Sequence, residues 1–141
     1  VVLGGESTGK STLCNDLATH YKTLWVPEYA RAFLTELDRA YAYEDLKRIA
    51  EGQLNAEDNL LQQANRFLFC DTDLHVLLVW SLFRFQKVDE WILKQKAIRH
   101  YDAYILTSPD FPWQEDPLRE HPEPTLRRYF FDKYHQYIQQ T

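Results

Sequence analysis

Two hydrophobic rhythms alternate along the chain. Short unbroken apolar runs occur at Val1-Val2-Leu3, Thr23-Leu24-Trp25-Val26, Phe67-Leu68-Phe69-Cys70 and Ala103-Tyr104-Ile105-Leu106-Thr107. Such runs read as strands of a parallel sheet, where both faces are covered and polar alternation is lost. The first three stop at Gly4, Pro27 and Asp71. Between the runs the period lengthens to that of a helix. From Lys10 the positions Leu13, Leu17 and Tyr21 share a face, and Ala30 to Leu37 reads as a short helix. Tyr43 to Asn65 is a longer helical stretch, with Leu46, Ile49, Ala50, Leu54, Leu61 and Ala64 as its apolar positions. Leu74 to Phe85, Glu90 to Arg99 and about Thr125 to Gln139 complete the helices. Strands alternating with helices predict an α/β fold with a parallel sheet.

One segment follows neither rhythm. Five of the six prolines lie between Pro109 and Pro124, interleaved with Trp113, Asp116, Arg119 and His121. A loop this long inside a compact domain is usually functional. The 141 residues suffice for one domain, and 45% hydrophobic with 26% charged residues is the balance of a globular protein. With 16 basic against 21 acidic residues the formal charge is −5, which argues against a general nucleic-acid binder. No apolar stretch reaches the ~18 residues of a membrane span, and no targeting peptide opens the chain, so a cytoplasmic protein is expected. The absence of Met and the strand-like start suggest a piece of a longer protein, trimmed at both ends. Cys14 and Cys70 sit in apolar surroundings and are expected to be inert core thiols. The five histidines show no zinc-type spacing.

Glycine is concentrated: three of the four fall between Gly4 and Gly9. Gly4-Gly5-Glu6-Ser7-Thr8-Gly9-Lys10-Ser11 fits G-x-x-x-x-G-K-[ST], with a buried strand before it and a helix, beginning Lys10-Ser11-Thr12, after it. In such a loop successive backbone N–H groups curl around phosphates, the lysine reaches the β- and γ-phosphates, and the serine hydroxyl ligates Mg²⁺. The expected fold is therefore a P-loop NTPase-type three-layer sandwich, and Gly4 through Thr12 are the expected ATP-binding residues. A Mg²⁺-nucleotide also needs a carboxylate at the end of a neighbouring strand, which Asp71 supplies. Asp73, two positions on, is a candidate catalytic or acceptor-side residue, or the cap of the next helix. Past the second strand Glu28 is placed to accept a proton from an attacking hydroxyl, and Arg31 to bind phosphate or pair with Glu28. Arg119 in the proline-rich segment is positioned to bring positive charge to the γ-phosphate when that segment, a lid at about 109–124, closes. A guanine-specifying N-K-x-D run is missing, so a GTPase switch is not expected.

These pieces together resemble the nicotinamide riboside kinase domain of NadR-type proteins, within the P-loop nucleoside and nucleotide kinases. The matching stretches are Gly4 to Thr12, Val26-Pro27-Glu28-Tyr29-Ala30-Arg31, Ile49-Ala50-Glu51-Gly52-Gln53, Phe69-Cys70-Asp71-Thr72-Asp73, Val79-Trp80-Ser81 and Pro109-Asp110-Phe111-Pro112-Trp113 through Asp116-Pro117-Leu118-Arg119. The resemblance implies ATP- and Mg²⁺-dependent phosphorylation of nicotinamide riboside, a five-stranded sheet with its last strand and adenine-side loop beyond Thr141, and a parent with an upstream adenylyltransferase domain. Nicotinamide riboside is cationic. Trp113, set among Asp110, Glu115 and Asp116, is then an expected recognition residue, beside Glu28, Tyr29, Arg31 and Asp73 on the acceptor side. The alternatives are another nucleoside or nucleotide kinase, or an ATP-binding regulatory module without small-molecule kinase activity.

Overall fold

The computed structural model describes residues 1–140. Four short strands lie parallel: β1 (Val2–Leu3), β2 (Leu24–Val26), β3 (Leu68–Cys70) and β4 (Ile105–Leu106). β1 pairs with β4 and β2 with β3; a bridge between Val2 and Asp71, and the Thr72 N–H bonded to the Val2 carbonyl at 3.0 Å, join the pairs in the order β2-β3-β1-β4. The helices are α1 (Lys10–Tyr21), α2 (Tyr29–Glu36), α3 (Tyr43–Leu61), α4 (Leu74–Phe85), α5 (Glu90–Ile98) and α6 (Pro124–Ile138). Every predicted strand and helix is present.

α4 organises the core. Leu74 through Val79 are all buried, as expected for a helix apolar on every side. One of its faces packs with Leu46, Ile49 and Ala50 of α3 and Ile92 of α5. The other packs with Leu3 of β1 and with Phe130 and Tyr134 of α6. The helical interior therefore fixes the ends of β1 and β3, where the glycine loop and Asp71 emerge.

Two local expectations are corrected. α1 buries Cys14 and Ala18, whereas Leu13 and Leu17 are half-buried and Tyr21 is 46% exposed. The small side chains let the helix axis come close to the strands, and the large ones lie along the flanks. α3 ends at Leu61, four residues short of Asn65, and Leu61 is exposed. The chain must turn there into β3: Arg66 takes φ +66°, Phe67 N–H bonds to the Asn65 carbonyl, and Asn65 N–H bonds to Thr23 Oγ1 at 2.9 Å. Cys14 and Cys70 are buried free thiols, and burial pushes both pKa values up to about 12.

Candidate active site

The glycine loop is held from beneath by β4. Gly4 lies where a Cβ would stand 2.0 Å from Thr107 Oγ1, so no larger residue fits. Thr107 Oγ1 donates to the Leu3 carbonyl at 3.0 Å and lies 2.6 Å from Thr8 Oγ1, which reaches the Gly5 carbonyl at 2.9 Å. Gly9, at φ +80°, turns the chain into α1, and Ser7 is also left-handed at φ +57°. Lys10 Nζ donates to the Gly5 carbonyl at 2.9 Å, folded back over its own loop. The loop amides, the α1 N-terminus and this ammonium form an anion-binding concavity.

At the lip of β3, Ser11 Oγ donates to Asp71 Oδ2 at 2.5 Å. Asp71 Oδ1 is buried and has no hydrogen-bond partner among the described residues. Burial raises the Asp71 pKa, against the nearby Lys10 ammonium and the Ser11 hydroxyl, which lower it. A buried carboxylate oxygen with a spare lone pair, beside a serine hydroxyl, fits a divalent cation. Thr72 then adopts φ +76°, a strained geometry for a β-branched residue, between this site and α4.

Asp73, expected either to act on the acceptor side or to cap the next helix, lines neither cavity and makes the cap. It is 1% exposed and caps α4, accepting the His75 N–H at 2.9 Å on Oδ1. Its Oδ2 contacts His75 Nδ1 at 2.7 Å and accepts from the Tyr104 hydroxyl at 3.1 Å.

A cleft of about 910 Å³ opens above the loop, lined by Lys10, Ser11, Asp16, Glu28, Arg31, Trp80, Leu118 and Arg119 among others. Glu28 precedes α2 and does not cap it, so its carboxylate is left for the cleft. Protein atoms crowd around it although its edge stays open to the cavity; this burial raises its pKa, opposed by Lys10 and Arg31 and assisted by Asp71 and Glu6. Arg31 is ion-paired with Asp116, tying α2 to the proline-rich segment rather than to Glu28. Arg119 lines the cleft, with its guanidinium bonded to the Gln114 carbonyl at 2.5 Å.

A second cavity of about 360 Å³ adjoins the cleft and shares Glu6, Leu34, Trp80 and Leu118 with it. Tyr41, Phe83, Arg84, Glu120 and His121 complete most of its wall. The Arg84 guanidinium stands 4.2 Å over the Tyr41 ring and 3.4 Å from Glu120. Arg39 is neutralised by Asp45, through bonds of 2.6 and 2.9 Å, and these anchor the loop that carries Tyr41. Glu6 is left as the lining charge with no side-chain counterion among the described residues. The sequence reading missed this cavity. Val79-Trp80-Ser81 was the available signal, but only the folded loop brings Tyr41 to it.

Three further residues expected on the acceptor side are held by contacts outside the two cavities. The Tyr29 ring rests on α3, where a Cβ on Gly52 would come within 2.1 Å of it, and the Tyr29 N–H bonds to Gln53 Oε1 at 2.9 Å. Asp110 is exposed and accepts from Ser108 Oγ at 2.5 Å. Trp113 lies under the Arg127 guanidinium, 5.7 Å from its ring centroid. None of the three lines either cavity.

A parallel sheet flanked by helices, a glycine-rich loop ending in Lys-Ser at a helix start, and a carboxylate at the neighbouring strand end define a P-loop NTPase-like domain. The chain belongs to the AAA domain family, which it matches over residues 1–141. It is 34% identical over 124 residues to the trifunctional NAD biosynthesis/regulator protein NadR of Salmonella typhimurium, and equally to that of Escherichia coli. The match covers 84% of this chain but 30% of each relative, so the chain spans under a third of their length. A crystal structure of NadR protein in complex with NR superposes with a TM-score of 0.84 at 25% identity, covering 99% of this chain and 41% of that one.

Proposed function

We propose that this domain is a small-molecule kinase that transfers the γ-phosphoryl group of ATP to the ribosyl 5′-hydroxyl of nicotinamide riboside, in NAD salvage. The carrying observation is the pair of adjoining cavities: the cleft above the phosphate loop, with Glu28 in its lining, and an aromatic pocket that shares Glu6, Leu34, Trp80 and Leu118 with it. The NadR relatives and the NR-bound structure support the choice of acceptor.

The loop amides from Gly4 to Gly9 and Lys10 hold the phosphates and stabilise charge building on the transferring group. Ser11 and Asp71 are the residues that would hold Mg²⁺, which would supply positive charge to offset that of the phosphates. Glu28 takes the proton of the attacking hydroxyl; its raised pKa brings it closer to neutral pH and makes it a better base than a surface carboxylate. Arg119 adds positive charge from above. Tyr41 and Trp80 offer aromatic faces to the pyridinium ring, with Glu6 supplying negative charge nearby. The guanidinium over Tyr41 is itself a planar cation held by ring and carboxylate, the arrangement a pyridinium would use.

Residues 1–141 form one catalytic domain in this reading, with 109–124 as its lid. The trifunctional naming of the relatives fits an extra domain in the parent protein, and an adenylyltransferase domain is the one this reading proposes. No helix among the described residues is long and apolar enough to cross a membrane, in keeping with work in the cytoplasm. The test is incubation with γ-labelled ATP, Mg²⁺ and a panel of nicotinamide riboside, cytidine and uridine. Label is expected in nicotinamide mononucleotide. ATP binding with no transfer to any nucleoside would leave the regulatory-module reading in its place.

A further inference from the structure

Glu6 occupies a variable position of the phosphate loop, yet its side chain is bonded to the proline-rich segment. Its two carboxylate oxygens accept the Glu120 N–H at 3.2 and 3.1 Å, and Oε2 also accepts the His121 N–H at 3.0 Å. The neighbouring Ser7 repeats the pattern. Its hydroxyl donates to the Pro112 carbonyl at 3.2 Å and accepts the Gln114 N–H at 2.9 Å, and its carbonyl accepts from Arg127 at 3.3 Å. Both residues are more than a hundred positions from their partners. A carboxylate accepting backbone N–H groups makes charge-assisted bonds, roughly twice as strong as neutral ones. Glu6 also lines both cavities, so it stands where the phosphate donor side meets the acceptor side.

We propose that Glu6 is the positioning residue that latches the 109–123 segment onto the phosphate loop, and so decides whether the γ-phosphoryl group goes to the acceptor or to water. This rests on the kinase reading above. With the latch closed, the segment covers the cleft and the bound hydroxyl is the nucleophile present. With the latch lost, water enters. Its oxygen then forms the new bond to the γ-phosphorus, the β–γ bridging P–O bond breaks, ADP leaves with the bonding pair, and the water's proton passes to solvent. The reaction loses acceptor coupling rather than ATP binding.

The experiment compares the parent with Glu6→Ala and Glu6→Gln. Inorganic phosphate and phosphorylated nicotinamide riboside are measured in the same reaction, and amide hydrogen exchange is followed at 118–121. Glu6→Ala should raise the ratio of free phosphate to phosphorylated product about tenfold, the factor that ~1.4 kcal/mol of lost bonding gives. Exchange at Glu120 and His121 should rise by a similar factor. Glu6→Gln, which loses the charge and keeps one carbonyl acceptor, should lie between the parent and Glu6→Ala in exchange at Glu120 and His121. An unchanged ratio and unchanged exchange in Glu6→Ala would overturn the latch, and so would a Glu6→Ala variant with unchanged exchange and a raised KM for nicotinamide riboside, because the loss would then lie in acceptor binding rather than in the bonds to the segment. If the parent phosphorylates no nucleoside, the kinase reading fails, and exchange at Glu120 and His121 alone decides the latch.

Discussion

From Gly4 to Ser11 the phosphate side of the cleft is one continuous stretch, and most of its working groups are backbone amides. The wall opposite takes Tyr41 from the loop between α2 and α3, Trp80 and Arg84 from α4, and Leu118 and His121 from the proline-rich segment. Glu6 reaches across from the phosphate loop to join them. In the proposed reading the first side binds what every nucleotide shares, through local geometry. The second would set the choice of acceptor, through contacts between elements far apart in the chain. Damage to the first should affect all acceptors equally; damage to the second should depend on the acceptor.

The largest effect expected is from Lys10→Ala. Removing this ammonium should lower kcat by on the order of 10²–10³, the loss typical of one preorganised electrostatic group. The factor should be the same for every acceptor, and thermal stability should hold, since Lys10 makes its one hydrogen bond to a loop carbonyl. Steady-state kinetics on two acceptors checks this; a loss confined to one would break the division between the two sides.

Glu28→Gln comes next, with kcat falling by about 10²-fold if Glu28 is the base. The pH profile carries the sign. Glu28 acts deprotonated, and burial raises its pKa, so the rate should fall as pH drops through a value above the ordinary carboxylate range. In Glu28→Gln that acid limb should vanish from the residual rate. Persistence of the limb would move the base elsewhere.

Asp71 and Asp73 give a smaller but sharper contrast. Asp71→Asn should raise the Mg²⁺ concentration for half-maximal rate about tenfold, ~1.4 kcal/mol of binding, with the fold unchanged. Asp73→Asn should leave the Mg²⁺ requirement alone and lower stability by about 1–3 kcal/mol, because it loosens the cap of α4 and the His75 and Tyr104 contacts. Magnesium titration and thermal melting of both variants test the pair; swapped outcomes would reverse the assignments.

These two aspartates mark where sequence reading reaches its limit. The phosphate loop, the strand runs and Asp71 were legible because each is contiguous: composition, spacing and flanking element lie in one window. Both readings of Asp73 were open from sequence, and Tyr104, thirty-one positions on, belongs with the structural one. Trp113 had acids around it in the sequence, but the fold put Arg127 against its ring. Tyr29 had a motif around it, and Gly52 on α3 gave its ring a place to pack. The aromatic pocket had no local signature, since Tyr41 and Trp80 meet only through the packing of the loop before α3 against α4, with ring centroids 6.4 Å apart. The face of α1 was misread for the opposite reason. Periodicity favoured the large residues, and close packing on the sheet selected Cys14 and Ala18.

The claim that the acceptor side chooses a cation is tested most directly by the ratio of kcat/KM for nicotinamide riboside to that for uridine, in the parent, Trp80→Leu and Trp113→Leu. The parent should favour the riboside. Trp80→Leu should lose about tenfold on the riboside, ~1.4 kcal/mol of cation–π contact, and much less on uridine, so the ratio collapses. Trp113→Leu should lower both substrates alike, because its ring stands against Arg127 and lines neither cavity. A parent that prefers uridine, or a Trp80→Leu variant whose losses on the two substrates are equal, would contradict the account.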